Sequence, residues 1–225
     1  MKIYLLLSVF IVGSFFGILL FNIANLILCK KYREENSQDM NLKNNTNTKS
    51  SPILGSYNNK VILVMVLNGL GWLFATAIAG SQIQTLQIML VMSVALIISI
   101  IDIKIHKIPN AMILLLLGSS LVFILTGSLK QSILLHFIGF AVALALFSIT
   151  LLLKSNVGAG DIKYIVVMGF CLGYPDIIKA MMIMSSVILV WLLYLVVSKK
   201  GGLKTKFAMG PFISIGFITT LLFQR

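Results

Sequence analysis

The chain is apolar and poor in charge for its length. It has 225 residues, of which 59% are hydrophobic and 11% charged, and its mean hydropathy is +1.03. Soluble domains carry roughly 25% charged residues, so this composition excludes a soluble enzyme and predicts an integral membrane protein. In such a protein the formal net charge of +12 sets topology and attracts anionic lipid headgroups. No basic patch interleaved with aromatic residues indicates nucleic acid as a partner.

The first predicted element is the apolar run at residues 3–28, which suits a membrane-spanning helix. A cleaved signal peptide is the alternative, but the run is long for one and no Ala-x-Ala-like site follows it. Residues 30–60 are rich in Asn, Ser, Lys and Thr and cannot bury enough apolar surface to fold alone, so we predict a disordered polar loop there.

Seven further apolar runs follow, and each predicts a helical span: 61–79, 84–101, 110–126, 132–153, 161–174, 177–198 and 207–223. The predicted fold class is therefore all-α, a polytopic membrane bundle of about eight transmembrane helices. The run at 161–174 is short for a full crossing. We divide the chain into a first transmembrane helix at 1–29, a polar cytoplasmic loop at 30–60 and a seven-helix domain at 61–225.

The distribution of basic residues predicts the orientation, because cytoplasmic loops carry an excess of Lys and Arg. With the 30–60 loop in the cytoplasm, fourteen of the eighteen basic residues fall on the inside. The four on the outside are Lys2, Lys130, Lys179 and Arg225. Both termini are then expected outside.

Carboxylates are scarce. Three of the six lie in the polar loop (Glu34, Glu35 and Asp39), which leaves Asp102, Asp161 and Asp176. Asp102 ends the third predicted span, and Asp161 opens the 161–174 run directly after Gly158 and Gly160. The two glycines would allow a positive φ or a close backbone approach. The chain crosses outward once and back once between Asp102 and Asp161, so both are expected at the cytoplasmic edge.

A pair of poorly solvated carboxylates would share one proton and titrate as a unit. The ionised member can draw a proton from water while the protonated one polarises a carbonyl, which is aspartic-protease chemistry. Two plainer interpretations stay open. Asp102 could form an interfacial ion pair with Lys104 or Lys107, and Asp161 could be the N-cap of a helix after a Gly-rich turn.

Four segments, in matching order along the chain, resemble the motifs of type IV prepilin peptidases. Asp102 with Ile108-Pro109-Asn110 resembles their Asp-x5-Ile-Pro-Asn motif. Residues 158–163 look like their Gly-x-Gly-Asp-x-Lys motif. Residues 207–212, Phe-Ala-Met-Gly-Pro-Phe, are similar to their Phe-Gly-Pro-Phe segment, and residues 13–15 to the Gly-Ser-Phe of their first helix.

The resemblance implies a multi-pass aspartic endopeptidase of the plasma (inner) membrane, with its active site facing the cytoplasm and no cofactor. Asp102 and Asp161 would be the catalytic residues, cutting the leader of a type IV prepilin or pseudopilin after a glycine. The supporting motif positions are Gly158, Gly160, Lys163, Pro109 and Asn110, although Lys163 could also be a plain interfacial lysine. The expected partners are that substrate and membrane lipids, in pilus assembly, secretion or competence.

One departure from the family concerns metal. Many members bind zinc through two Cys-x-x-Cys pairs in the first cytoplasmic loop and also N-methylate the new amino terminus. The chain has two cysteines, Cys29 and Cys171, so that loop cannot supply a four-cysteine zinc site. We expect no metal site and doubt the N-methyltransferase activity.

Two rival functions belong to other classes. A presenilin-like intramembrane protease also uses Gly-x-Gly-Asp, but the accompanying Tyr-Asp and Pro-Ala-Leu motifs are absent from the sequence. A proton- or cation-coupled transporter could use Asp102 and Asp161 as carriers, but no internal repeat of the kind common in transporters is visible.

Overall fold

The computed structural model describes residues 2–40, 57–78, 82–126, 132–152, 158–198 and 208–223. Within these ranges it forms eight α-helices and no strand, which confirms the all-α class. The helices are α1 (Lys2–Met40), α2 (Tyr57–Ile78), α3 (Gln82–Ile105), α4 (Asn110–Leu125), α5 (Ile133–Leu152), α6 (Ala159–Leu172), α7 (Asp176–Val197) and α8 (Gly210–Phe223).

The helices differ in their ability to cross a bilayer alone. Four contain a segment that is long and apolar enough: Leu6–Leu26, Val61–Ile78, Gln82–Ile105 and Asp176–Val197. The apolar parts of α4, α5 and α8 are shorter. Helix α6 has 14 residues and is about 21 Å long at 1.5 Å per residue, less than the roughly 30 Å of a hydrocarbon core. The set fits a helical membrane bundle.

The end of α1 differs from the prediction. The first span was expected to end at residue 28 and a disordered loop to begin at 30, but α1 continues to Met40. Residues 30–36 are mostly Lys, Arg and Glu, which are strong helix formers, and residues 30–40 contain neither Gly nor Pro. The rest of the predicted loop, residues 41–56, lies outside the described residues.

The chain divides into two compact units, Met1–Phe74 and Ala75–Arg225. In the first unit, α1 and α2 approach closely at the Gly-Ser-Phe segment. A Cβ at Gly13 would lie 2.8 Å from the Trp72 ring, and the Asn68 side-chain amide donates to the Gly13 carbonyl at 2.8 Å. Phe16 packs on Trp72 with ring centroids 5.5 Å apart. Gly13 therefore provides the space in which α2 packs.

In the second unit α6 is the central helix. It packs against α4, α5, α7 and α8, while α8 also packs against α3 and α7. Every residue of α6 from Tyr164 to Leu172 is buried. Gly173 ends the helix with a φ of 73°, a left-handed conformation that favours glycine. Because other helices surround α6, it can lie within the bundle without being long enough to cross the bilayer by itself.

Small residues set the spacing of α6 and α8 from their neighbours. A Cβ at Gly139 in α5 would lie 2.5 Å from the Gly169 carbonyl oxygen in α6. A Cβ at Gly216 in α8 would lie 2.6 Å from the Ala180 carbonyl oxygen in α7. Membrane helices associate through such close backbone contacts. These contacts hold α6 closely against α5 and α8 closely against α7.

Candidate active site

Four helix ends of the second unit meet around Asp102. Asp102 lies in the last turn of α3, Asn110 is the first residue of α4, Asp161 lies in the first turn of α6, and Gly210 begins α8. The contacts described below link these ends in pairs. The site is therefore built from helix termini, where main-chain polar groups lack partners within their own helix.

Asp102 is buried, with 3% of its surface exposed. Its Oδ2 accepts a hydrogen bond of 2.7 Å from the backbone N–H of Gly210. Met209 precedes α8, and its carbonyl accepts the N–H groups of Phe212 and Ile213. The Gly210 N–H has no intrahelical acceptor in this position, so Asp102 caps α8 from a different helix.

Asp161 is the third residue of α6, and the N-cap is Gly158. The N-cap interpretation of Asp161 is therefore wrong. The Asp161 carboxylate instead forms a hydrogen bond with the backbone of Gly158, as the third residue of a capping box does. It is half-buried, and its negative charge is favoured by the helix N-terminus.

The two carboxylates belong to the same group of helix ends. Asp102 and Asp161 lie close enough for the charge of one to act on the other, although 59 positions separate them in the sequence. Each is held at a helix N-terminus, Asp102 by α8 and Asp161 by α6. Two ionised carboxylates in such a place repel one another, and sharing one proton removes that repulsion.

The glycines of the motif provide space and no unusual backbone. Gly158 has φ −65° and ψ 135°, so it does not use the positive φ that glycine allows. A Cβ at Gly158 would lie 2.9 Å from Asp161 Oδ2. A Cβ at Gly160 would lie 3.3 Å from Ile108 Cβ and 3.4 Å from the Ile108 nitrogen. Gly160 thus lets the loop before α4 pack directly on the first turn of α6.

Lys163 links the two motifs at the exposed rim. Its Nζ donates to Asn110 Oδ1 at 3.2 Å, and Pro109 is the N-cap of α4 in an extended conformation. All seven motif residues predicted from the sequence therefore belong to one group of helix ends.

Sequence reasoning gave no role to Gly210, although its Gly-Pro segment was noticed. A backbone amide that donates to a carboxylate far away in the chain leaves no mark on the local sequence pattern.

The comparisons with known proteins agree with this geometry. Residues 89–197 match the sequence model of the type IV leader peptidase family, a segment that contains both Asp102 and Asp161. Neither the curated proteins nor the solved structures gave a significant match.

Gly210 generates a testable prediction. In Gly210→Ala the new Cβ would lie 2.9 Å from both Cβ and Oδ2 of Asp102, closer than real Cβ contacts, so Asp102 or α8 must move. Because a displacement of about 1 Å at a catalytic group can cost a hundredfold in rate, we expect peptidase activity at least tenfold below that of the parent. The measurement is cleavage by equal amounts of purified, membrane-inserted protein.

The matched control is Gly118→Ala in α4, where an added Cβ meets nothing within 4 Å. This variant should retain the parent's activity. Equal activity of Gly210→Ala and Gly118→Ala would contradict the role given to the Gly210 amide.

Proposed function

Because residues 89–197 match the sequence model of the type IV leader peptidase family, we propose that this chain is a membrane-embedded aspartic endopeptidase. Its substrate would be a type IV prepilin or pseudopilin, from which it removes the leader peptide. The observation that carries the proposal is that Asp102 and Asp161 both lie in the matched segment and in one group of helix ends, joined by the Gly210–Asp102 and Lys163–Asn110 bonds.

The reaction proposed is hydrolysis by water activated between the two aspartates. The ionised carboxylate accepts a proton from water while the protonated one donates a hydrogen bond to the scissile carbonyl oxygen. The water oxygen then bonds to the carbonyl carbon. The intermediate breaks at the C–N bond, and the departing amine takes up a proton. The Gly210 amide supports this step by holding Asp102 in place before substrate arrives.

The rival transporter function has less support. The two carboxylates lie at helix ends, whereas carrier sites of transporters typically lie near the bilayer midplane. The family match also favours a peptidase.

The first test replaces the pair Asp102 and Asp161, called the dyad below. Asp102→Asn and Asp161→Asn keep the shape of each side chain but cannot share a proton, so each should abolish prepilin cleavage. Residues that act as a unit are strongly non-additive, so the double variant should be no less active than either single variant. The measurement is conversion of a purified prepilin, followed by mass.

Asp176→Asn is the control for this test. Asp176 begins α7 and forms an ion pair with Lys179 at 2.7 Å, away from the helix ends that hold the dyad. It should cleave as the parent does. Substantial turnover by Asp102→Asn or Asp161→Asn would refute an aspartic mechanism.

We further propose that the scissile bond is presented on the cytoplasmic side, where the excess of basic residues places the loops next to Asp102 and Asp161. A prepilin has a short basic leader that remains in the cytoplasm and an apolar helix that spans the membrane. A glycine before the scissile bond lets the backbone enter a narrow cleft between helix ends. Anionic lipids bound by the enzyme's lysines would screen repulsion between the leader and the basic inner face.

This proposal predicts a single product, cut directly after glycine and before the apolar segment. Replacing that glycine with a bulky residue should abolish the reaction, because the side chain would meet the helix ends around Asp102. Intact-mass analysis of the product decides the position. Cuts deep within the apolar helix would favour the presenilin-like alternative.

We also propose that the chain lacks efficient N-methyltransferase activity, since residues 30–60 contain no cysteine that could form the family's zinc site. Purified protein incubated with labelled S-adenosylmethionine and a cleaved pilin should transfer little label. The control is a bifunctional family member assayed in parallel. Transfer at a comparable rate would show that methylation does not need the zinc-binding loop.

A further inference from the structure

One turn deeper in the bundle than the two aspartates, three helices exchange buried hydrogen bonds. The Tyr164 hydroxyl of α6 lies 2.9 Å from Ser214 Oγ of α8. Ser214 Oγ donates to the Ala95 carbonyl of α3 at 3.1 Å, and Ser99 Oγ of α3 lies 2.8 Å from Ser214 Oγ. Tyr164 is 0% exposed and Ser214 3% exposed.

Each side chain of this cluster lies one helical turn from a residue of the candidate site. Ser99 precedes Asp102 by three positions, Tyr164 follows Asp161 by three, and Ser214 follows Gly210 by four. Residues three or four apart share one face of a helix. The three helices that carry the dyad and its amide donor are therefore the same three that meet at Ser214.

The donors and acceptors make Ser214 the partner that the other side chains share, and we call it the hub of the cluster. Ser214 donates its proton to the Ala95 carbonyl, so its oxygen can accept from both Tyr164 and Ser99. Ser99 has a second acceptor, because its hydroxyl also lies 2.8 Å from the Ala95 carbonyl on its own helix. A phenol cannot reach the backbone of its own helix in this way. Removing Ser214 would therefore deprive Tyr164 of its acceptor in a fully buried position, and would leave Ser99 bonded.

We propose that Ser214 is a positioning residue that fixes the separation of Asp102 and Asp161 by bonding α3, α6 and α8 to one another. The proposal rests on the function proposed above for its effect on catalysis, but the hydrogen-bonded hub is independent of that function. The Tyr164 ring also packs on Phe217 of α8, with centroids 6.4 Å apart, and this orients the hydroxyl toward Ser214. Ser214 acts on the reaction only through the helices that carry the aspartates.

The experiment combines Ser214→Ala, Tyr164→Phe and Ser99→Ala with the Ser214→Ala/Tyr164→Phe double variant. The matched control is Ser148→Ala in α5, an exposed serine bonded to its own Leu144 carbonyl. Each full-length protein is assayed for prepilin cleavage, giving kcat and KM, and for equilibrium unfolding in mixed detergent micelles.

For catalysis we expect Ser214→Ala to lower kcat at least tenfold with KM changed less than twofold, since the defect lies in the spacing of the dyad and not in substrate contact. Ser99→Ala should lower kcat less than threefold, because Ser214 keeps its bond to Ala95. Ser148→Ala should match the parent. Ser214→Ala with the kcat of the parent, or with only its KM raised, would overturn the positioning role.

For unfolding we expect non-additivity. Ser214→Ala should raise the equilibrium constant for unfolding about three- to tenfold more in the parent than in the Tyr164→Phe background, because that background has no phenol to leave without a partner. Additive effects would overturn the hub. This double-mutant cycle tests the hub even if the parent protein cleaves no prepilin. Absence of cleavage would refute the proposed function but would leave the test of the hub unaffected.

Discussion

The hydrogen bond from the Gly210 amide to the Asp102 carboxylate is the interaction on which the site depends. A buried carboxylate without a partner is costly, and so is the unpaired first amide of a helix, at about 1–3 kcal/mol for a neutral group. In this protein each group satisfies the other. The same contact joins the last turn of α3 to the first residue of α8, which then packs on α6 and brings Asp161 near Asp102.

Charge and space act together at these helix ends. The N-terminus of α8 faces Asp102 and that of α6 carries Asp161, so two helix dipoles favour negative charge at the same place. The carboxylates repel one another in turn, and the shared proton that we propose for them would balance the two effects. This arrangement leaves no room for a side chain at three positions. A Cβ at Gly158 would lie 2.9 Å from Asp161 Oδ2, one at Gly210 would lie 2.9 Å from Asp102 Oδ2, and one at Gly160 would lie 3.3 Å from Ile108 Cβ.

Hydropathy was sufficient to predict the number of helices and most of their ends, because a membrane imposes a strong and local pattern on the sequence. The parity of the crossings also predicted that Asp102 and Asp161 lie at the same end of the bundle. Which property of Gly158 the site uses could not be read from the sequence, because glycine both leaves space and permits a positive φ. The extension of α1 to Met40 was missed because polar composition alone does not distinguish an exposed helix from a loop.

The contacts that complete the site could not be predicted, because their partners are distant in the sequence and chemically ordinary. The bond from Gly210 to Asp102 spans 108 positions and uses a main-chain N–H. The Lys163–Asn110 bond spans 53 positions, and each residue alone is a common surface polar group. Neither pairing has a periodicity or a spacing that local reasoning could detect.

The helices that carry the two aspartates are joined to their neighbours both at the site and one turn deeper in the bundle. Helix α8 is attached to α3 at Gly210 and again at Ser214, about 6 Å apart along its axis, and two buried bonds oppose both sliding and tilting. The first turn of α6 is joined to α4 by the exposed Lys163–Asn110 bond, which competes with water and holds less strongly. A turn further along, however, α6 is held by the buried bond from Tyr164 to Ser214. Ser214 therefore bonds α8 to both α3 and α6, and the separation of Asp102 from Asp161 depends on this shared partner.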